Sequence, residues 1–404
     1  MQGSAIISRP ASRYIREFDG LRAIAAISVI AGHAAIAGHI VKSMSPAFIA
    51  VRFFFVLSGF LITGILIDQV VNSSRPGQSL KAFYARRCLR IFPPYFAFLI
   101  FFLAIGNEYV WKTIAWTATY TSNFCFAFVT APAPPLSHFW TLAVEEQFYL
   151  IWPLAILLLF RKSRNTVIVF MLALITTSVI YRIAAANGGA SRQQILHLPI
   201  ASLDSLVFGA LIASLFRVDN SWAKKLLTFM KWTGLLVAIP VVTSVLVAKH
   251  FGWAGFPDLN TTGQLFVAVA SGAVVIHFAS VETNSIFARI LRSPVARFLG
   301  MISYGIYIYH FPFDRIVYEQ FLMKQFGWPD YFPYHFGFVL VATIITASIS
   351  WYLLERPLLR LKSRFPYSDA GHQVANSDAG LSGNKDKDDS ETIEPDEKIR
   401  RHVA

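Results

Sequence analysis

The sequence predicts an all-α fold: a polytopic membrane bundle of about ten transmembrane helices with both termini in the cytoplasm. Three observations predict it. Only 15% of the 404 residues are charged, 55% are hydrophobic, and mean hydropathy is +0.51, whereas about a quarter of a soluble domain is charged. The apolar residues gather into stretches of roughly 17–25 residues, the length that crosses a hydrocarbon core of about 30 Å. Lys and Arg are unevenly shared between the intervening loops, 23 on one set and six on the other. Such a bias marks the cytoplasmic side, so a multi-pass protein of the inner (cytoplasmic) membrane is expected.

The expected spans centre on 22–41, 47–68, 91–106, 139–160, 165–185, 197–216, 232–248, 261–280, 297–314 and 332–354. The apolar stretch 113–130 reads as a re-entrant or interfacial segment. Residues 1–17 carry Arg9, Arg13 and Arg16 with no cleavage site behind a short apolar run, so they read as a cytoplasmic segment and not a secretory signal. Residues 18–365 form the membrane domain. From 366 to 404 the chain holds nine acidic and five basic residues and little aliphatic content, too little to offset its chain entropy, so a disordered cytoplasmic tail is expected. Without that tail 31 basic and 14 acidic residues remain. Because they flank apolar spans, the lipid bilayer accounts for them and no nucleic acid is expected. Cys88 and Cys125 fall on opposite sides of the bilayer in this topology and cannot pair. Heptads, metal-ligand Cys/His pairs and a nucleotide-binding Gly fingerprint are missing, so no metal is expected.

Charged groups inside spans cost about 2.5–3.5 kcal/mol each at a helix centre, which makes them functional candidates. Arg22 and His33 are eleven residues apart, three helical turns, and share a face with about 16 Å between them along the axis. A neutral imidazole at the His33 depth suits general-base work; a histidine bonded between helices is the bland alternative. Arg52 enters the second span and either pairs with a carboxylate, snorkels or serves structure. Ser58-Gly59 reads as a close helix contact between small residues. Arg87 and Arg90, at i and i+3, face one way and suit phosphate recognition, or simply flank a span. Glu145 and Glu146 are adjacent carboxylates in an apolar helix, hard to reconcile with a lipid-facing position. Ser303, Tyr307 and His310 fall at i, i+4 and i+7, one polar stripe that lines a cavity or bonds helix to helix. Glu355-Arg356-Pro357 reads as a helix-terminus salt bridge.

Taken in order, these motifs resemble the acyltransferase family 3 of integral membrane proteins over nearly all of residues 17–362. The likeness rests on Asp19-Gly20-Leu21-Arg22 with His33, on Phe54 to Phe60, and on Arg87-Cys88-Leu89-Arg90. It continues in Phe139-Trp140-Thr141-Leu142-Ala143-Val144-Glu145-Glu146-Gln147-Phe148-Tyr149, in Ser303-Tyr304 through Pro312, and in Glu355-Arg356-Pro357. The resemblance implies transfer of an acyl group, usually acetyl, from acyl-coenzyme A to a carbohydrate hydroxyl, with no permanently bound cofactor. It implies that Arg22, His33, Arg87 and Arg90 are required. Acceptors in the family include lipopolysaccharide, exopolysaccharide and lipid-linked oligosaccharide. Two departures stand out. Many members carry an acidic residue where this chain has Arg52. Some relatives also append an extracytoplasmic hydrolase-like domain; nothing here forms one, so membrane helices alone, or a partner protein that delivers the acceptor, are expected to complete the task.

The expected mechanism docks coenzyme A phosphates at Arg87 and Arg90 and brings the thioester toward His33. His33 acts as base or first accepts the acyl group, Glu145 or Glu146 orients His33 or a cation, and Ser303, Tyr307 and His310 line the acceptor path. A carrier or flippase for a polar or lipid-linked glycan is the rival from another class.

Overall fold

The computed structural model describes residues 14–34, 46–160, 163–251, 261–280, 285–329 and 331–368, with backbone alone at 164 and 239–251. The expected tail beyond residue 368, the first thirteen residues and the end of the first expected span (35–41) lie outside the described residues. Among the described residues every regular element is helical. In hydrocarbon only intra-segment backbone pairing or a closed barrel satisfies every amide, and the long apolar runs select the first.

The chain runs through α1 (Arg16–Ala34), α2 (Pro46–Ile65, continued by a π-helical turn Leu66–Val71) and the long α3 (Pro76–Ala104). Two short helices, α4 (Glu108–Ala118) and α5 (Ser122–Phe128), occupy the stretch expected to be interfacial. Next come α6 (Phe139–Phe160), α7 (Arg164–Asn187), α8 (Arg192–His197), α9 (Leu203–Leu215), α10 (Ser221–Phe251) and α11 (Gly263–Ser280). After α12 (Ile286–Leu291) and α13 (Pro294–Met301), α14 (Ser303–Pro312) passes into a π-helical segment, Phe313–Met323. The last elements are a single turn (Lys324–Phe326), α15 (Phe332–Ser350), a π turn (Trp351–Glu355), α16 (Arg356–Leu359) and a 3-10 turn, Arg360–Arg364.

Six described segments are long and apolar enough to cross a bilayer: Pro46–Val71, Pro76–Ala104, Phe139–Phe160, Asn165–Asn187, Gly263–Ser280 and Phe332–Arg364. They coincide with six of the ten expected spans. The other four differ for identifiable reasons. The described part of the first, α1, is rich in charge, with Arg16, Glu17, Asp19 and Arg22 in its first two turns. The sixth is apolar but short, Pro199–Leu215. The seventh lies within α10. The ninth is broken at Ile302 into α13 and α14 and continues as π-helix. Outward faces are apolar, as lipid requires: Ile100, Phe101, Leu150, Ile151, Val169 and Ile180 are all exposed.

The tightest crossing is between α2 and α9, and glycine makes it possible. A Cβ on Gly59 would lie 1.8 Å from the Leu206 carbonyl oxygen, and one on Gly209 would lie 1.9 Å from that of Val56. Each glycine therefore receives the backbone of the other helix, as the Ser58-Gly59 pair suggests. This crossing fixes α2, and with it the depth at which Arg52, Phe55 and Ser58 meet the rest of the bundle. Cys88 and Cys125 are free thiols.

Candidate active site

A cavity of ≈ 110 Å³ opens between α1, α2, α3, α6 and α14, room for on the order of ten waters. Of the nine residues expected to be required or to act in the mechanism, seven line it: Arg22, Arg87, Arg90, Glu145, Glu146, Ser303 and Tyr307. Arg22 is set by its own motif. Asp19, in the first turn of α1 where the helix dipole favours an acid, accepts from Arg22 Nη1 at 3.0 Å and is also bonded by the Tyr14 hydroxyl. Arg87 is steered by aromatic faces, with its guanidinium 5.5 Å from the Tyr149 ring and 5.9 Å from that of Phe83. Ser58 Oγ donates to Glu145 Oε1 at 2.8 Å. Three guanidinium groups thus face two carboxylates across one small space, an environment suited to a polyanion with a reactive arm.

His33 and His310 are not part of that lining. They sit in a second cluster on the far side of Tyr307. The Tyr307 ring lies 5.4 Å from His138 and 5.6 Å from His310, while its hydroxyl meets Thr141 Oγ1 at 2.6 Å. His138 and His310 ring centroids are 5.0 Å apart, and the half-buried His33 ring is 5.3 Å from His310. Phe311 closes the group, 5.1 Å from His33 and 5.2 Å from His138. Tyr307 is therefore shared: it lines the arginine-glutamate cavity and its ring also abuts His138 and His310.

Of the two partners expected for Glu145 or Glu146, His33 or a cation, the geometry places the glutamates with the cations Arg22, Arg87 and Arg90 and not with His33. Among the described residues no hydrogen bond joins either glutamate to His33, and Glu145 is held instead by Ser58. The reason is depth: the glutamates share a cavity with Arg22, about three helical turns from His33. The carboxylate nearest in the chain to the histidine cluster is one that no sequence motif singles out. Asp314, fully buried, pairs with Arg315 Nε at 2.9 Å and with His335 Nε2 at 2.8 Å. Arg315 also pairs with Glu319 and donates to the His33 carbonyl oxygen at 3.5 Å. Asp314, Glu319 and His335 bring possible metal-ligand atoms within 4.8 Å of one another. The Arg315 guanidinium already bridges the two carboxylates, so the group reads as an ion-pair network.

The Arg182–Asp204 pair is equally hidden from a sequence reading, because each residue lies in an apolar stretch 22 positions from its partner. Arg182 and Asp204, both with 0% side-chain exposure, pair at 2.6 Å. Arg182 is further bonded to Ser178, Ala201 and Thr261. Of the three readings of Arg52, the structural one agrees with its packing. It is buried at 1% exposure, donates from Nη1 to Ser202 Oγ at 3.0 Å, and lies over the Phe48 and Phe55 rings. At the end of the last span Glu355 accepts from Ser350 Oγ at 3.0 Å, and Arg356 lies over Tyr352. The final turn is clasped to α3 by Arg86, whose Nη1 donates to the carbonyl oxygens of Lys362 and Phe365.

The sequence is similar to several bacterial proteins. OatA of Staphylococcus aureus, an O-acetyltransferase, is 28% identical over 369 residues, covering 86% of this chain and 57% of its own. The peptidoglycan O-acetyltransferase OatA of Listeria monocytogenes is 26% identical over 372 residues, covering 87% and 57%. YrhL of Bacillus subtilis, described as a candidate peptidoglycan O-acetyltransferase, is 27% identical over 365 residues, covering 86% and 55%. The chain thus spans little more than half the length of these relatives. No solved structure matches it. The family model described as an acyltransferase domain matches residues 15–352, a stretch that contains the whole cavity and the histidine cluster, and the chain belongs to that family, acyltransferase family 3.

Proposed function

We propose that the chain is a membrane O-acyltransferase that moves an acyl group, acetyl in the first instance, from acyl-coenzyme A to a hydroxyl of a cell-surface carbohydrate. The observation that carries this reading is the convergence of Arg22, Arg87, Arg90, Glu145 and Glu146 on one cavity that shares a wall, Tyr307, with His33 and its histidine neighbours. The arginines suit the donor's phosphates, which a planar guanidinium holds with paired hydrogen bonds. His33 takes the proton of the attacking hydroxyl, the carbonyl carbon passes from sulfur to oxygen, and the proton ends on the departing thiolate. Prior acylation of His33 followed by attack of the hydroxyl balances equally. The names of the relatives make glycan strands of peptidoglycan the first acceptor to try, with lipopolysaccharide and exopolysaccharide next.

The test uses the full chain in nanodiscs with radiolabelled acetyl-coenzyme A and a panel of those glycans, comparing wild type with His33→Ala. Glycan-dependent release of coenzyme A that the variant loses supports the reading. Neither release nor donor binding by folded wild type, with several acyl donors tried, would sink it and favour the carrier.

A further inference from the structure

The histidine cluster contains two ring nitrogens whose chemistry is fixed by what the other nitrogen does. His310 Nδ1 lies 2.7 Å from the Tyr307 carbonyl oxygen, and His138 Nε2 lies 3.1 Å from that of Ile308. A carbonyl oxygen only accepts, so each of these nitrogens bears the proton. In the neutral rings, His310 Nε2 and His138 Nδ1 are consequently bare lone pairs. Both are buried, on residues with 0% and 4% exposure, and neither has a hydrogen-bond partner among the described residues. Buried acceptors are normally satisfied because leaving one unmade forfeits its hydration. Here two of them belong to rings 5.0 Å apart, one of which is 5.3 Å from the half-buried His33 ring.

We propose that His138 and His310 form the polyol-binding edge of the acceptor site, each accepting a hydrogen bond from a hydroxyl of the sugar whose reacting hydroxyl is presented to His33. Two acceptors and no donor select a ligand that brings its own donor groups. A carbohydrate offers hydroxyls on neighbouring carbons beside the one presented to His33. The amide N–H groups and hydroxyl of the coenzyme A arm are the competing occupant, which the donor KM reports. A site built to hydrogen-bond a hydroxyl discriminates strongly against an analogue lacking it. The inference rests on the acyltransferase reading and assigns these two residues to the acceptor, not to the donor.

The two side-chain amides separate this role from a structural one. In His310→Asn the amide nitrogen takes the Nδ1 position and keeps the bond to Tyr307, but the Nε2 acceptor is gone; His310→Gln supplies an oxygen near Nε2. For His138 the assignment reverses: His138→Gln keeps the donor toward Ile308 and loses the acceptor, and His138→Asn retains the acceptor. Steady-state kinetics are measured with acetyl-coenzyme A and peptidoglycan glycan strands, or whichever glycan of the panel the wild type acetylates. His310→Asn and His138→Gln are expected to raise the acceptor KM roughly 10- to 100-fold, the range of a lost hydrogen bond to a buried acceptor, with the donor KM unchanged. His310→Gln and His138→Asn are expected to recover most of that loss. Equal damage by both amides at each position, or a matching rise in the donor KM, overturns the proposal in favour of a packing role. An inactive wild type would instead overturn the acyltransferase reading itself, and this inference with it.

Discussion

The two polar regions flanking Tyr307 are built from opposite materials. The cavity on one side gathers three guanidinium groups and two carboxyl groups, those of Arg22, Arg87, Arg90, Glu145 and Glu146. The cluster on the other gathers neutral rings: His33, His138 and His310 within 5.3 Å contacts, closed by Phe311. Fixed charge in a low-dielectric setting is expensive unless it is paired or ligand-matched, so the first region suits a polyanion. Imidazoles can exchange a proton without carrying a permanent charge, so the second suits proton transfer with a neutral, hydroxylated partner. On the proposed reading, the difference places donor and acceptor in the two regions that Tyr307 joins.

Variants test that division. The largest effect is expected from His33→Ala, which removes the proposed base: kcat should fall by at least about 10²-fold, the lower end for general acid-base catalysis, while radiolabelled donor still binds in a filter assay. Retention of full turnover would break the assignment of chemistry to the histidine side. Next, Arg87→Ala and Arg90→Ala should each raise the donor KM roughly tenfold or more, as expected for a lost charge-assisted hydrogen bond. The acceptor KM should stay put; if it rises in step, the two regions are one site.

Gly209→Ala probes the frame that holds both. Its Cβ would meet the Val56 carbonyl at 1.9 Å, and such overpacking typically costs about 1–3 kcal/mol. The thermal midpoint in nanodiscs should drop while the ratio of donor to acceptor KM is preserved. A selective change in one KM would show that the α2–α9 crossing tunes one region alone. The smallest effect is expected at the exposed Glu108–Lys112 pair, 2.6 Å apart on α4. The Lys112 ammonium holds the Glu108 carboxyl below its usual range, yet surface pairs are screened by water. Glu108→Gln should leave both the thermal midpoint and the two KM values unchanged; a shift in either KM would extend the site to the interfacial helices.

Much of the polar interior is legible in the sequence. Periodicity alone puts Ser303, Tyr307 and His310 on one stripe, and the stripe does face a polar interior: Ser303 and Tyr307 line the cavity and His310 joins the cluster. Spacing puts Arg22 and His33 on one face at different depths, and they do serve different regions. Small residues at Ser58-Gly59 mark a close crossing, which Gly209 completes from the other helix. Meetings between distant residues stay hidden. Glu145 finds Ser58, 87 positions away, and Arg182 finds Asp204 across a loop. Asp314 meets His335 only because the helix after Pro312 widens into a π segment and α15 folds back on it. A hydropathy reading sees such residues one at a time, as isolated polar letters in apolar words.

The sequence by itself determined membrane residence, the place of most helices, the family and the residue types that line the polar interior, because each of these depends on composition or on the 3.6-residue period within one segment. Only the tertiary structure decided that Tyr307 touches both polar regions, that among the described residues no hydrogen bond joins either glutamate to His33, and that His138 joins the histidines. Those outcomes depend on which faces of different helices meet. That is set by packing between segments, at crossings as close as the Gly59–Gly209 contact, and no period within a single helix encodes it.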